Sequence, residues 1–216
     1  MSLDTKTVLD AVKQAREQSK KKNFNQTIEL IINLQDIDMK KPEAKIQETI
    51  ELPHTPNKKV KVCVIATGEL ALKAKKAGAE LVLSNAELES LATDKKRQKQ
   101  LASTYDAFIA EAPLMPLVGR TLGATLGPRG KMPKPVPPNI DIKAQIEKLG
   151  QTVNLRIRNQ PMLQCSIGTE DMKDEEIAEN IMTIVRRVEG KLKRGLKNIT
   201  TIYLKTTMGK PVKIKL

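Results

Sequence analysis

Neither end of this chain carries enough secondary structure to bury a core by itself, and that shortage constrains how all 216 residues can fold. The first segment, about 57 residues long, offers one helix and two strands. Residues 3–21 read as an amphipathic helix, with Val8, Ala11, Val12 and Ala15 on one stripe and Lys13, Arg16 and Glu17 opposite. Lys20, Lys21 and Lys22 follow, charges that suit a helix C-terminus. A turn-like stretch over 23–26 leads into a strand at 27–34, and alternation at 46–52 predicts a second strand paired with it. The last segment has the same difficulty. Residues 153–158 and 163–167 alternate like a hairpin, and strands are expected at 199–204 and 212–216. Between them, residues 171–194 form a long helix, its Ile177, Ile181, Ile184, Val185, Val188 and Leu192 spaced by three and four.

The middle has a different texture. A polar, proline-bearing crossing at 53–59 precedes a nearly continuous apolar strand at 60–66. Helices at 69–77, 86–91, 95–104, 116–122 and 142–149 then alternate with short strands at 81–83 and 107–110. A loop over 123–139, with five prolines and three glycines, interrupts them. Short apolar strands separated by helices predict a parallel sheet covered on both faces. The expected fold is therefore α/β in two domains. Residues 1–59 and 153–216 build a discontinuous two-layer α+β domain from both chain ends, and 60–152 form an inserted three-layer Rossmann-like α/β domain.

Charge narrows the function classes. Lys and Arg number 38 against 25 Asp and Glu, leaving +13. Residues 60–152 carry 14 basic and 9 acidic side chains, or +5; the ends carry 24 and 16, or +8. Both parts are basic, which points to a polyanionic partner, because lysine and arginine release counterions condensed on phosphates. Basicity does not by itself separate RNA from DNA. The aromatics Phe24, Tyr105, Phe108 and Tyr203 are too few for a base-stacking platform, which favours recognition of folded RNA by shape, backbone and 2′-hydroxyl contacts. Cys63 and Cys165, both in apolar runs, are expected to be buried reduced thiols, and a lone His54 leaves a poor ligand set for zinc, so no metal or cofactor is expected. No signal-peptide core and no 18-residue apolar run occurs, so a soluble intracellular protein without membrane contact is expected.

Three motifs carry chemistry. In Leu126-Gly127-Pro128-Arg129-Gly130-Lys131-Met132-Pro133-Lys134-Pro135 the Gly130-Lys131 pair ends like a phosphate-binding loop. However, Thr125 stands where the opening glycine should be and Met132 where the hydroxyl that ligates magnesium should be. The loop offers Arg129, Lys131 and Lys134 for backbone contacts instead, held apart by proline. Lys205-Thr206-Thr207-Met208-Gly209-Lys210-Pro211 combines hydroxyls, a flexible apolar side chain and a glycine, suited to a ribose–phosphate surface or simply to a strand exit. The third, Phe24-Asn25-Gln26-Thr27-Ile28-Glu29, opens the first strand.

In that order and spacing, the three motifs resemble those of the ribosomal protein L-one family over nearly the full length. The resemblance implies a structural, non-enzymatic protein of the large ribosomal subunit, cytoplasmic on the ribosome and monomeric off it. It implies binding to large-subunit rRNA at the mobile stalk beside the E-site tRNA, assistance in release of deacylated tRNA, and translational repression through its own mRNA. Carried onto this sequence, it implies a primary RNA surface of Lys22, Phe24, Thr27, Glu29, Ser166, Gly168, Thr206, Thr207, Met208 and Gly209, with Arg129, Lys131 and Lys134 as secondary contacts. Glu29 would accept from 2′-hydroxyls, and Lys22 would replace a basic residue that bacterial members often carry where Asn23 stands. The Lys131–Pro135 and Gly209-Lys210-Pro211 variants resemble archaeal or eukaryotic members, and the compact length favours archaeal ones. The alternatives are a general DNA-associated protein and, more remotely, a Rossmann-like nucleotide-dependent enzyme.

Overall fold

The structure is a computed structural model and describes residues 3–37, 46–56, 60–138, 140–157 and 160–215. In chain order the elements begin α1 (Thr5–Glu17), β1 (Thr27–Leu34), β2 (Gln47–Glu51), β3 (Val62–Ile65), α2 (Gly68–Lys76), β4 (Leu81–Leu83), α3 (Asn85–Leu91) and α4 (Lys95–Thr104). They continue β5 (Ala107–Glu111), α5 (Met115–Thr121), α6 (Gly123–Leu126), β6 (Lys134–Val136), α7 (Ile142–Gln151), β7 (Thr152–Arg156), β8 (Met162–Thr169), α8 (Asp174–Glu189), β9 (Ile199–Thr206) and β10 (Val212–Ile214). The fold divides the chain into a unit of residues 1–58 with 151–216 and a unit of residues 59–150.

In the first unit a four-stranded antiparallel sheet runs β10-β9-β1-β8. The strand from the start of the chain thus lies between two from its end. One sheet face is apolar: Ile28, Leu30, Ile32 and Leu34 of β1 align with Ile202 and Leu204 of β9 and with Leu163 and Cys165 of β8. That face packs on the α1 stripe Val8, Ala11, Val12 and Ala15 and on Ile177, Ile181, Ile184, Val185 and Val188 of α8. The helices are shorter than the periodicity suggests. Asp4 caps α1, its carboxylate accepting from the Lys6 N–H, and α8 starts only after a turn in which the Met172 N–H donates to the Thr169 carbonyl. At its other end α8 stops at Gly190.

Two strand pairings differ from expectation. The 46–52 strand does not join β1; β2 pairs antiparallel with β7 in a separate two-stranded sheet. Consequently 153–158 and 163–167 do not form a hydrogen-bonded hairpin, because β7 bonds to β2 while β8 bonds to β1. Both β2 and β7 alternate between more and less buried positions, so their patterns predict strands without saying which neighbour each takes. Residue 158, at the end of the first expected strand, lies outside the described residues.

The second unit is a parallel sheet ordered β4-β3-β5-β6. Strand β3 is buried on both faces: Cys63 and Ile65 pack with Leu88, Ala102 and Val118, while Val62 and Val64 pack with Leu70, Ala74 and Ile142. Helices thus cover both sides, making three layers. Within the expected 123–139 loop, whose residue 139 lies outside the described residues, Gly123–Leu126 is a helical turn and Lys134–Val136 the edge strand. Proline suits that edge because a missing N–H costs least there.

Burial pushes the thiols of both Cys63 and Cys165 up to about 12. Neither ionises near neutral pH, and the thiolate is the reactive form. In the native protein at pH 8, neither thiol should therefore react with an aromatic disulfide reagent, and two should titrate in denaturant. Rapid reaction of either in the native state would contradict this packing. Among the described residues no helix is long and apolar enough to cross a membrane.

Candidate nucleic-acid interface

The motifs at 24–29 and 206–209 meet because β1 and β9 are antiparallel neighbours, with Ile28 opposite Thr206 and Glu29 opposite Lys205. At the start of β1, Gln26 is fully buried and ties together three chain segments. Its side-chain amide donates to Ser19 Oγ (2.9 Å), the Lys20 carbonyl (3.2 Å) and Glu170 Oε1 (2.9 Å). Its side-chain carbonyl accepts the Met208 N–H (3.1 Å). The segment after α1, the turn after β8 and the turn after β9 are thereby fixed to one residue. Nothing in the sequence around Gln26 signals this, since glutamine beside a turn is ordinarily a surface residue.

Thr207 closes the other side. Its hydroxyl accepts from the Thr27 N–H (3.2 Å) and donates to the Thr27 carbonyl (3.2 Å), and its own N–H donates to that carbonyl (3.0 Å). Upon this frame stand the side chains left to solvent. Phe24 is 53% exposed and Met208 65%, two of only four large hydrophobics so exposed among the described residues. Lys20, Lys21, Lys22 and Lys210 are exposed nearby in sequence, and Lys205 is half-buried. Glu29, Lys205 and Ser166 form one row across the outer sheet face, with Thr27, half-buried, at the strand's start.

Three expected contacts are placed otherwise. Thr206 is fully buried: β9 alternates, so Thr206 shares the inner face with Ile28, and its hydroxyl donates to Ser19 Oγ at 3.0 Å. Gly168 is also buried, because the register slips between Ile28 and Glu29 and brings Gly168 opposite Ile28 instead of leaving it beside Ser166. A β-carbon there would lie 2.9 Å from Met172 Sδ, so the glycine makes room for the core. Lys131 serves as an internal tie, its ammonium donating to the carbonyls of Ala102 (3.1 Å) and Tyr105 (2.6 Å) at the C-terminus of α4. Arg129 also reaches that helix, donating to Ser103 Oγ (3.0 Å), but stays exposed, as does Lys134. Gly209 keeps its place in the patch for a steric reason: a β-carbon would meet Thr206 Oγ1 at 2.3 Å.

The nucleotide-dependent alternative loses its site. In an open parallel sheet the ligand crevice lies beyond the C-terminal strand ends, with phosphate on a helix N-terminus. Here Glu111, at the end of β5, accepts from the Thr67 N–H (3.1 Å) and hydroxyl (3.0 Å) just before α2. A carboxylate where a phosphate would sit repels one. Among the described residues no cluster of His, Cys, Asp or Glu could hold a metal ion.

The sequence model described as "Ribosomal protein L1p/L10e family" matches residues 14–210. The large ribosomal subunit protein uL1 of Methanothermobacter thermautotrophicus is 47% identical over 207 residues, covering 96% of this chain and 98% of that protein. The uL1 of Methanobrevibacter smithii is 48% identical over 210 residues, 97% and 99% of the two chains. That of Pyrococcus abyssi is 47% identical over 216 residues, 100% of this chain and 98% of its own.

Proposed function

The chain belongs to the ribosomal protein L1p/L10e family, and from that premise we propose that this structural constituent of the large ribosomal subunit grips large-subunit rRNA at the Gln26-centred end of its four-stranded sheet. The observation that carries this reading is the pair Phe24 and Met208, exposed at the Gln26-anchored ends of two neighbouring strands, with lysines close by in sequence. Large apolar side chains held out from a rigid turn gain nothing in the free protein. Against a ribose or an unstacked base they exclude water, while Lys20, Lys21, Lys22 and Lys210 meet phosphates and Ser166, Thr27 and Glu29 meet 2′-hydroxyls. Glu29 belongs in such a surface as an acceptor, since a carboxylate repels phosphate but accepts readily from a sugar hydroxyl.

The same proposal extends to the mobile stalk and its role in releasing deacylated E-site tRNA, and to repression through the protein's own mRNA. One rigid surface that reads a folded RNA motif also binds a copy of that motif elsewhere, so messenger and rRNA would compete for it. Exposed Arg129 and Lys134 would supply backbone contacts from the second unit.

The test is filter binding of the full chain to a large-subunit rRNA fragment and to duplex DNA of equal length. At about 0.15 M salt the rRNA should bind at least 10³-fold more tightly, the lower end of specific over non-specific ratios. Equal affinities would leave only a general polyanion binder.

A further inference from the structure

The opposite end of the same sheet carries a second basic surface that the interface above does not use. An open groove of about 730 Å³ is lined there by Arg194, Lys197, Lys213 and Lys215, with Gln35 and Thr200 among its other walls; among the described residues no acidic side chain lines it, although Asp36 pairs with Arg194. We propose that this groove is a second RNA-backbone site, taking consecutive phosphates of the same rRNA; its assignment to RNA rests on the reading above.

Four like charges gathered in one groove repel each other, a cost that a bound polyanion removes. Lys197, Lys213 and Lys215 are exposed, and among the described residues Arg194 pairs with Asp36 (2.7 Å), both partners more than half exposed, an ion pair that phosphate readily exchanges. The floor is built before any ligand arrives. Asn198, buried, donates to the Gln35 carbonyl (2.9 Å) and accepts from the Arg194 N–H (2.9 Å). Gln35 in turn donates to the Lys197 carbonyl (2.8 Å) and accepts from the Thr200 hydroxyl (3.3 Å). Gly195, at φ +56°, permits the turn that presents Arg194 and Lys197. A fixed backbone lowers the ordering cost of binding. The lining offers ammonium, guanidinium, amide and hydroxyl donors and no aromatic face, which suits sugar and phosphate and not base stacking.

The Lys197 end of the groove is a separate contact: strand β9 runs eight residues from there to the first surface, about 23 Å at ~3.3 Å per residue, against a Debye length of about 8 Å at physiological salt. Lys213, opposite Tyr203, lies partway along the sheet towards Lys205.

The experiment is a salt series of full-chain binding to the large-subunit rRNA fragment, comparing the native protein with the triple variant Lys197→Gln/Lys213→Gln/Lys215→Gln. The slope of log K against log salt should fall by about two, at roughly 0.7–0.9 for each phosphate that is no longer neutralised, with affinity at least tenfold weaker at about 0.15 M salt. An unchanged slope, with Met208→Ala still weakening binding, would overturn the groove and leave the primary interface standing. A reduced slope with Met208→Ala silent would do the reverse. An equal reduction from Lys95→Gln/Lys96→Gln/Lys99→Gln on α4 would trace the effect to net charge and also overturn the groove.

Discussion

Truncating Phe24 and Met208 together to alanine weakens binding to large-subunit rRNA by roughly a hundredfold or more, and changes stability by no more than about 0.5 kcal/mol. The two halves of that expectation come from the same observation. Side chains 53% and 65% exposed give little to the folded state, so their loss leaves the melting curve in place. In a complex they would be covered, and each aromatic or apolar contact with a base or ribose contributes on the order of 1–3 kcal/mol. The single variants divide the loss, and Met208→Leu should retain most of its share because volume and apolarity are kept. Calorimetric melting beside filter binding reads both halves. Undiminished affinity in the double variant would remove the proposed interface, since no other described part of it presents an exposed apolar anchor.

Gln26→Leu is the variant with the largest expected effect on stability. Leucine is close in volume, so the change is chiefly chemical. It strips partners from the Ser19 hydroxyl, the Lys20 carbonyl, the Glu170 carboxylate and the Met208 N–H together. An unpaired buried donor or acceptor costs about 1–3 kcal/mol, and a charged one more. Water reaches part of this site, so the expected loss is about 3 kcal/mol. Urea unfolding should show the transition of the split unit moved to lower denaturant, with that of the 59–150 unit unmoved. Binding to rRNA should weaken too, because Met208 would lose the hydrogen bond that fixes its backbone. A stable Gln26→Leu protein with native affinity would mean that the network does not organise the site.

The sequence makes the architecture visible through texture. Val62–Ile65 are apolar without alternation, and the strand is buried on both faces; β1 alternates from Ile28 to Leu34, and it covers a helical layer on one face only. What stays hidden is whatever depends on partners far along the chain. Strand β2 could have paired with any half-polar neighbour, and only the assembled unit gives it β7. The proposed interface shows the same division. Lys22, Phe24, Thr27, Glu29, Ser166, Thr207, Met208 and Gly209 are candidates by residue type, and the structure leaves each at least partly exposed. The inward turn of Gly168 requires knowledge of a register slip, and that of Thr206 requires strand parity to be traced past the end of an apolar run. The internal bonds of Lys131 are hidden for a simple reason: a lysine in a basic loop looks free until a helix end is found beneath its ammonium group.

The place of β1 between β8 and β9 also sets a timetable for synthesis. Residue 28 meets residue 206 only after nearly the whole chain has been translated, which at about 5–20 residues per second takes roughly 9–36 seconds. The 59–150 unit draws on no later residue for its sheet, so it can fold while the first strand still waits. Until β8 is made, an alternating apolar strand with both edges unpaired is exposed in the nascent chain, and one edge stays open until β9 follows; such a segment is the kind that chaperones shield and that aggregates when unshielded. Pulse-labelled, arrested nascent chains should accordingly yield a protease-resistant fragment from the middle of the sequence well before the first residues are protected.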